Sequence, residues 1–143
     1  MDHVTDSLLV GDAEDAGDHD GVRAARVTVV LSLTHDSPAT PARGFRVVDR
    51  PLVDGPQNDP ERFAAAVDTL RSLLDDGECV LVHCSAGASR SVAVAAAALA
   101  LVRGVAVDEA LSTVCAARGV SAPHPALADR ARAYVTARRD RPA

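Results

Sequence analysis

Short apolar runs alternate along this chain with polar stretches rich in proline, glycine and aspartate, and the run lengths predict strands and helices in alternation. "SLLVGD" near the start reads as a strand, and the Asp- and Gly-rich residues after it can hold a helix. Arg26–Leu33, "RVTVVLSL", is a β-branched apolar run of buried-strand length. "HDSPATPARG" reads as loop, and "FRVVDR" as a third strand. Pro51–Pro60, "PLVDGPQNDP", is a loop with three prolines. Its last two residues open a helix, Asp59 as N-cap and Pro60 at the first helical position. Phe63, Val67, Leu70 and Leu74 share one face of that helix, and Gly77 ends it. "CVLVHC" is apolar almost throughout, as expected of a fourth strand covered on both faces. Helices follow at about Ser89–Val102, Val107–Arg118 and Pro125–Arg138.

The resulting βαβα order predicts the α/β class: a central, mostly parallel (mixed) sheet of four to five strands flanked by helices. One domain over residues 1–143 is expected, since 143 residues with 48% apolar content suffice for a single core. Aromatics make up only 2%, so Ala, Val and Leu must build that core. The net charge of −5 argues against nucleic acid or an anionic membrane as a bulk electrostatic partner. All fifteen basic residues are Arg, a bias that reflects composition or a salt-adapted cytoplasm rather than mechanism. Three cysteines without paired spacing suit a reducing cytoplasm better than a disulfide framework. The start lacks the pattern of a signal peptide, and the Ala-rich run from Ser91 is too short to span a bilayer. A soluble, cytoplasmic protein is the expectation; the oligomeric state is left open.

Residues 82–91, "VHCSAGASRS", change the picture. A strand ending at Cys84 and a helix starting near Ser89 enclose a tight turn, Ser85–Arg90. Gly87, Ala86 and Ala88 keep that turn free of bulk, so successive backbone N–H groups can face one concavity at the positive end of a helix. A cysteine on its rim is held toward thiolate by the same field. Arg90 adds a planar fork able to grip two oxygens of a tetrahedral oxyanion. Together these describe a nucleophile aimed at a bound phosphoryl group.

His83, Cys84, Gly87, Arg90 and Ser91 match HCxxGxxR[ST], and the chain thereby resembles the cysteine-dependent protein tyrosine phosphatases, the dual-specificity branch in particular. "LLVGDAEDA", "VVLSLT" and "VDEALSTVCAARGVSAPHPAL" resemble further segments of that branch. The resemblance implies a protein-tyrosine-phosphatase-like fold and metal-independent hydrolysis of phosphate esters with no cofactor. It implies that Cys84 attacks phosphorus to form a cysteinyl-phosphate intermediate. The amides of Ser85, Ala86, Gly87, Ala88, Ser89 and Arg90, with the Arg90 side chain, would bind the phosphate. Ser91 would hydrogen-bond the Cys84 sulfur as it leaves. His83 would order the loop by hydrogen bonding and favour the low thiol pKa.

The leaving oxygen needs a proton donor on a segment that can also admit water, which points to the Pro51–Pro60 loop. Asp54 is the preferred acid there, in a placement similar to the family's acid loop. Asp59 is better spent as a cap, and Asp49 is the other alternative. Where the family often has an Asn beside a Pro that supports the phosphate loop, this chain has His124, either a substitute donor or a surface residue. One Tyr and two Phe leave little for a deep phosphotyrosine slot, so a shallow cleft open to phosphoserine and phosphothreonine is expected. No variable loop position is basic, so nothing favours a phosphoinositide.

The expected substrate is a phosphorylated protein. The alternative is a small phosphoester (a metabolite, an RNA 5′ end or a lipid phosphate), then a non-catalytic phosphate-binding scaffold. A sulfur-transfer enzyme fits the loop less well. Cys79 lies five residues before Cys84, about 16 Å away along a strand, too far for a disulfide. Cys115 is expected in the core. Asp12, Asp15, Asp18 and Asp20 read as a solvated face rather than a calcium loop.

Overall fold

The computed structural model describes residues 1–34, 44–53, 57–86 and 88–139. Its elements in chain order are β1 (Asp2–His3), β2 (Leu8–Gly11), α1 (Ala13–Gly17), α2 (His19–Ala24), β3 (Val29–Ser32), β4 (Arg46–Asp49) and α3 (Pro60–Asp75). β5 (Val80–His83), α4 (Arg90–Arg103), α5 (Val107–Arg118) and α6 (Pro125–Arg139) complete them. The loop read at "HDSPATPARG" falls almost wholly outside the described residues.

The strands form one five-stranded sheet in the order β1-β2-β5-β3-β4. β2, β5, β3 and β4 run parallel, with Val10 opposite Val82, Leu31 opposite Val82 and Val30 opposite Val47. β1 adds an antiparallel edge by pairing Asp2 with Val10 and His3 with Leu9. The mostly parallel, mixed sheet of the sequence reading is therefore present. Its two-residue edge strand was not foreseen, because so short a segment carries no period.

Alternation along the strands sends side chains to both faces. Leu8, Val10, Val29, Leu31, Val80 and Val82 join α3, α4, α5 and α6 in the larger core. Leu9, Val30 and Leu81 pack with Ala16 and Val22 of α1 and α2 on the other face. All four residues of β2, β3 and β5 are buried, which explains why those strands read as continuous apolar runs.

Two local features set the frame of the site. α3 starts where Asp59 and Pro60 predict, with the Asp59 carboxylate accepting from the Glu61 amide at 2.8 Å. Its buried face is Phe63, Ala66, Val67, Leu70 and Leu73, with Leu74 only partly covered. α4 is enclosed on every side: each residue from Ser91 to Ala100 is buried, and seven of the ten are alanines or valines in the run "VAVAAAA". Methyl-sized side chains let the sheet, α3, α5 and α6 all approach this one helix.

Candidate active site

Pairing with β2 on one side and β3 on the other places β5 in the sheet, so Cys84 emerges near the middle of its carboxyl-terminal edge. Open parallel sheets gather their ligands at that edge. The turn through Ser85, Ala86, Ala88 and Ser89 then leads into α4 at Arg90, while Gly87 lies outside the described residues. Ser89 is the N-cap, yet its hydroxyl makes no bond to the amides of α4. It accepts instead from the His124 amide at 3.0 Å. The amino-terminal amides of this 14-residue helix are thus left without a capping side chain, facing the turn with the positive end of the helix dipole.

Cys84 Sγ lies 3.3 Å from Ser91 Oγ. Both residues are buried, at 2% and 0% exposure. The sulfur therefore sits on the floor of the turn and not on its rim as the sequence suggested. β5 ends inside the sheet, and the first turn of α4 closes over it. Ser85 and Ala86 are exposed above, and Ala88, Ser89 and Arg90 are half-buried.

Arg90 spans the turn. Its Nη2 donates to Ser85 Oγ at 3.2 Å and its Nη1 to the Leu52 carbonyl at 3.0 Å. Its Nε is buried with no hydrogen-bond partner among the described residues. Leu52 is fully buried and its amide donates to the Leu33 carbonyl at 3.0 Å, so the segment that Arg90 touches is anchored to β3's end. Across the same loop, Asn58 Nδ2 donates to the Val53 carbonyl at 2.8 Å. Arg130 on α6 donates from Nε and Nη2 to the Asn58 carbonyl at 3.2 and 2.7 Å. Both feet of the loop are fastened beside Arg90.

Asp54 itself lies outside the described residues. In sequence it follows two positions after Leu52, whose carbonyl Arg90 grips. Asp59 is engaged as the cap of α3. Asp49 ends β4, two strand spacings or about 9.6 Å from β5.

His83 is 3% exposed. Burial lowers its imidazole below the ordinary histidine range, partly offset by the Cys84 backbone and by Asp49 and Asp12. The ring is therefore neutral at neutral pH. Among the described residues neither ring nitrogen makes a well-formed hydrogen bond, and the nearest polar influence on the ring is the Cys84 backbone. His124 is exposed, with Nδ1 accepting from the Ala126 amide at 3.1 Å. Its backbone, rather than its ring, reaches the turn.

The sequence matches the family described as "Dual specificity phosphatase, catalytic domain" over residues 8–135, nearly the whole chain. The chain belongs to the dual-specificity phosphatase family. It is 33% identical over 125 residues to human dual specificity protein phosphatase 22, covering 87% of this chain and 67% of that one. It is 30% identical over 132 residues to human dual specificity phosphatase 28, covering 92% and 75%. The crystal structure of human DUSP28 superimposes with a TM-score of 0.87 at 28% identity, over 97% of this chain and 98% of that one. The chain is thus a dual-specificity-type protein phosphatase, and the fold and branch expected from the HCxxGxxR[ST] loop hold.

Other expectations resolve differently. The aspartates after β2 are not merely a solvated face. Asp12 and Asp15 form a reciprocal capping box on α1, Asp18 caps α2, and Asp20 pairs with Arg23 at 2.5 Å. The D-x-x-D spacing of a capping box was the signal that would have shown it. Cys79, Cys84 and Cys115 form no disulfide, and Cys115 is buried as expected. Asn58, Arg118 and Arg130 were not singled out by sequence, because their contacts join segments that no local pattern connects.

Proposed function

We propose that this chain, as one catalytic domain over residues 1–143, hydrolyses phosphomonoesters on phosphoproteins through a cysteinyl phosphate. The observation that supports it most is the constellation of Cys84 Sγ against Ser91 Oγ at 3.3 Å, beneath the uncapped first turn of α4. A phosphoryl group above that floor would meet the backbone amides of residues 85–90 and the Arg90 guanidinium. Among the described residues the buried Arg90 Nε has no hydrogen-bond partner, which suits a donor reserved for an oxyanion.

In the first step the Cys84 thiolate attacks phosphorus as the ester P–O bond breaks, and Asp54 gives its proton to the leaving oxygen. In the second, water attacks the thiophosphoryl phosphorus while the Asp54 carboxylate takes its proton. The P–S bond breaks, and Ser91 Oγ–H stabilises the departing thiolate. Inorganic phosphate and the resting enzyme result.

Placement of the aromatics supports a site open to phosphoserine and phosphothreonine as well as phosphotyrosine. Phe63 and Tyr134 pack edge-to-face in the core at 6.5 Å, and Phe45, just before β4, meets His19 edge-to-face at 5.4 Å. None is therefore spent on a deep phosphotyrosine wall. No helix among the described residues is long and apolar enough to cross a membrane. Three cysteines outside any disulfide, one of them the nucleophile, suit a reducing cytoplasm.

The test is a panel of phosphotyrosine, phosphoserine and phosphothreonine peptides beside small phosphoesters, with Cys84→Ser as blank. Phosphopeptide turnover that persists in EDTA and is blocked by vanadate is the expected result. Turnover of small esters alone would move the substrate class, and full activity in the blank would remove Cys84 from its role.

A further inference from the structure

We infer that Arg118, outside the catalytic turn, is a positioning residue that clamps the Ser85 end of the phosphate-binding loop through α1. This rests on the phosphatase reading above.

Arg118 is the last residue of α5, with its side chain only 14% exposed. Its Nη1 lies 2.9 Å from Asp2 and 3.6 Å from Asp15, and its Nη2 lies 3.5 Å from Asp12. These carboxylates hold its guanidinium above the usual arginine range against the opposing effect of burial. Asp12 and Asp15 are the two halves of the α1 capping box, joined by bonds of 2.8 and 3.1 Å. Gly11 permits this geometry, since a Cβ there would lie 2.8 Å from Asp15 Oδ2 and 3.2 Å from Leu81 Cδ1. Arg118 therefore helps to fix the first turn of α1, together with the N-terminal ammonium 2.9 Å from Asp15.

That first turn touches the catalytic loop. The Ala13 amide donates to the Ser85 carbonyl at 3.3 Å. A trans peptide is planar, with its C=O and N–H pointing to opposite sides. Holding the Ser85 carbonyl toward α1 therefore aims the Ala86 N–H away from α1 and into the anion concavity. On the other side of Arg118, Gly119 adopts φ 75° and turns the chain into the segment ending at His124. The His124 amide binds Ser89 Oγ at 3.0 Å. The guanidinium thus acts on the Ser85 end of the phosphate loop through α1, while the Ser89 end is held separately by the His124 amide in the segment that follows α5. Neither of these struts contacts substrate. Their effect is on the direction of amides that do, and misdirection of a positioned group by about 1 Å costs on the order of 100-fold in rate.

The test compares Arg118→Met, Arg118→Lys, Asp12→Asn and Asp2→Asn in the full chain, using kcat and KM for an aryl phosphate, vanadate inhibition and urea unfolding. Asp12→Asn keeps an N-cap acceptor while removing the charge that faces Arg118. Arg118→Met and Asp12→Asn are expected to weaken vanadate inhibition and kcat/KM by about tenfold under conditions where each remains folded. Arg118→Lys should recover part of that loss. Asp2→Asn, which breaks the shortest ion pair without touching α1's cap, should lower stability while leaving kcat/KM within about twofold. Folded Asp12→Asn and Arg118→Lys variants with parental vanadate inhibition and kcat/KM would overturn the clamp, even if Arg118→Met failed to fold. Parent protein inert toward every phosphoester would instead overturn the phosphatase reading itself.

Discussion

Ser91 Oγ stands 3.3 Å from Cys84 Sγ across a turn of six intervening residues, and both side chains are buried beneath it. The hydroxyl is thus positioned to serve the sulfur and no solvent-borne group. A hydrogen bond to a charged partner is worth about 1.5–3 kcal/mol. Ser91→Ala should therefore slow breakdown of the cysteinyl phosphate by roughly 10- to 100-fold while sparing its formation. Rapid-mixing assays should show a burst of leaving group in the variant; equal loss in both phases would assign Ser91 a purely structural role.

Asp54 and Asp59 lie five residues apart and separate cleanly by experiment. Asp59 is committed to the Glu61 amide at 2.8 Å, a role that Asn also fills. Asp59→Asn should keep kcat within about threefold. Asp54→Ala should lose about 10²- to 10⁴-fold on poor leaving groups and lose the basic limb of the pH–rate profile. A preserved basic limb would transfer the acid role to Asp49.

His83 links stability to pH. Burial lowers its folded-state pKa below the unfolded value of about 6.5. The unfolded chain thus binds the extra proton first as pH falls. The contribution is fully present above about pH 6.5 and is lost progressively below it. Urea midpoints from pH 8 to 5 should fall in the parent, with a shallower fall in His83→Gln. Parallel curves would mean that the ring is not held neutral by the fold.

α4 tolerates no added bulk. Ala96 is 0% exposed within a helix enclosed by sheet and neighbouring helices. Ala96→Leu should cost about 1–3 kcal/mol through overpacking, measurable by urea unfolding. Because α4 carries the catalytic turn, the same substitution should reduce kcat before the protein unfolds.

Much of this molecule is legible in its sequence where the cause is local. Asp59-Pro60 marks the start of α3 because cap and ring chemistry act within one turn. β2, β3 and β5 announce themselves because burial on both faces leaves no polar position. Cys84, Arg90 and Ser91 are legible because one turn carries all three. What escaped depends on distant pairings. β1 exists only because Asp2 and His3 meet Val10 and Leu9. Asn58 matters through Val53 on one side and Arg130 on α6 on the other, 72 residues away. Asp12 and Asp15 looked solvated until Arg118, 106 residues after Asp12, came to lie beside them.

The two outermost strands bear on how the protein behaves in a crowded solution. β2 is wholly apolar in character, and without a neighbour its outer row of backbone donors and acceptors would invite another chain to extend the sheet. β1 occupies that row for only two residues, too short to recruit a stranger in turn. At the opposite margin β4 begins with Arg46 and finishes with Asp49, both exposed, so an approaching strand would have to bury charge. The margins of the sheet that delivers the nucleophile thus give another strand little to pair with edge to edge.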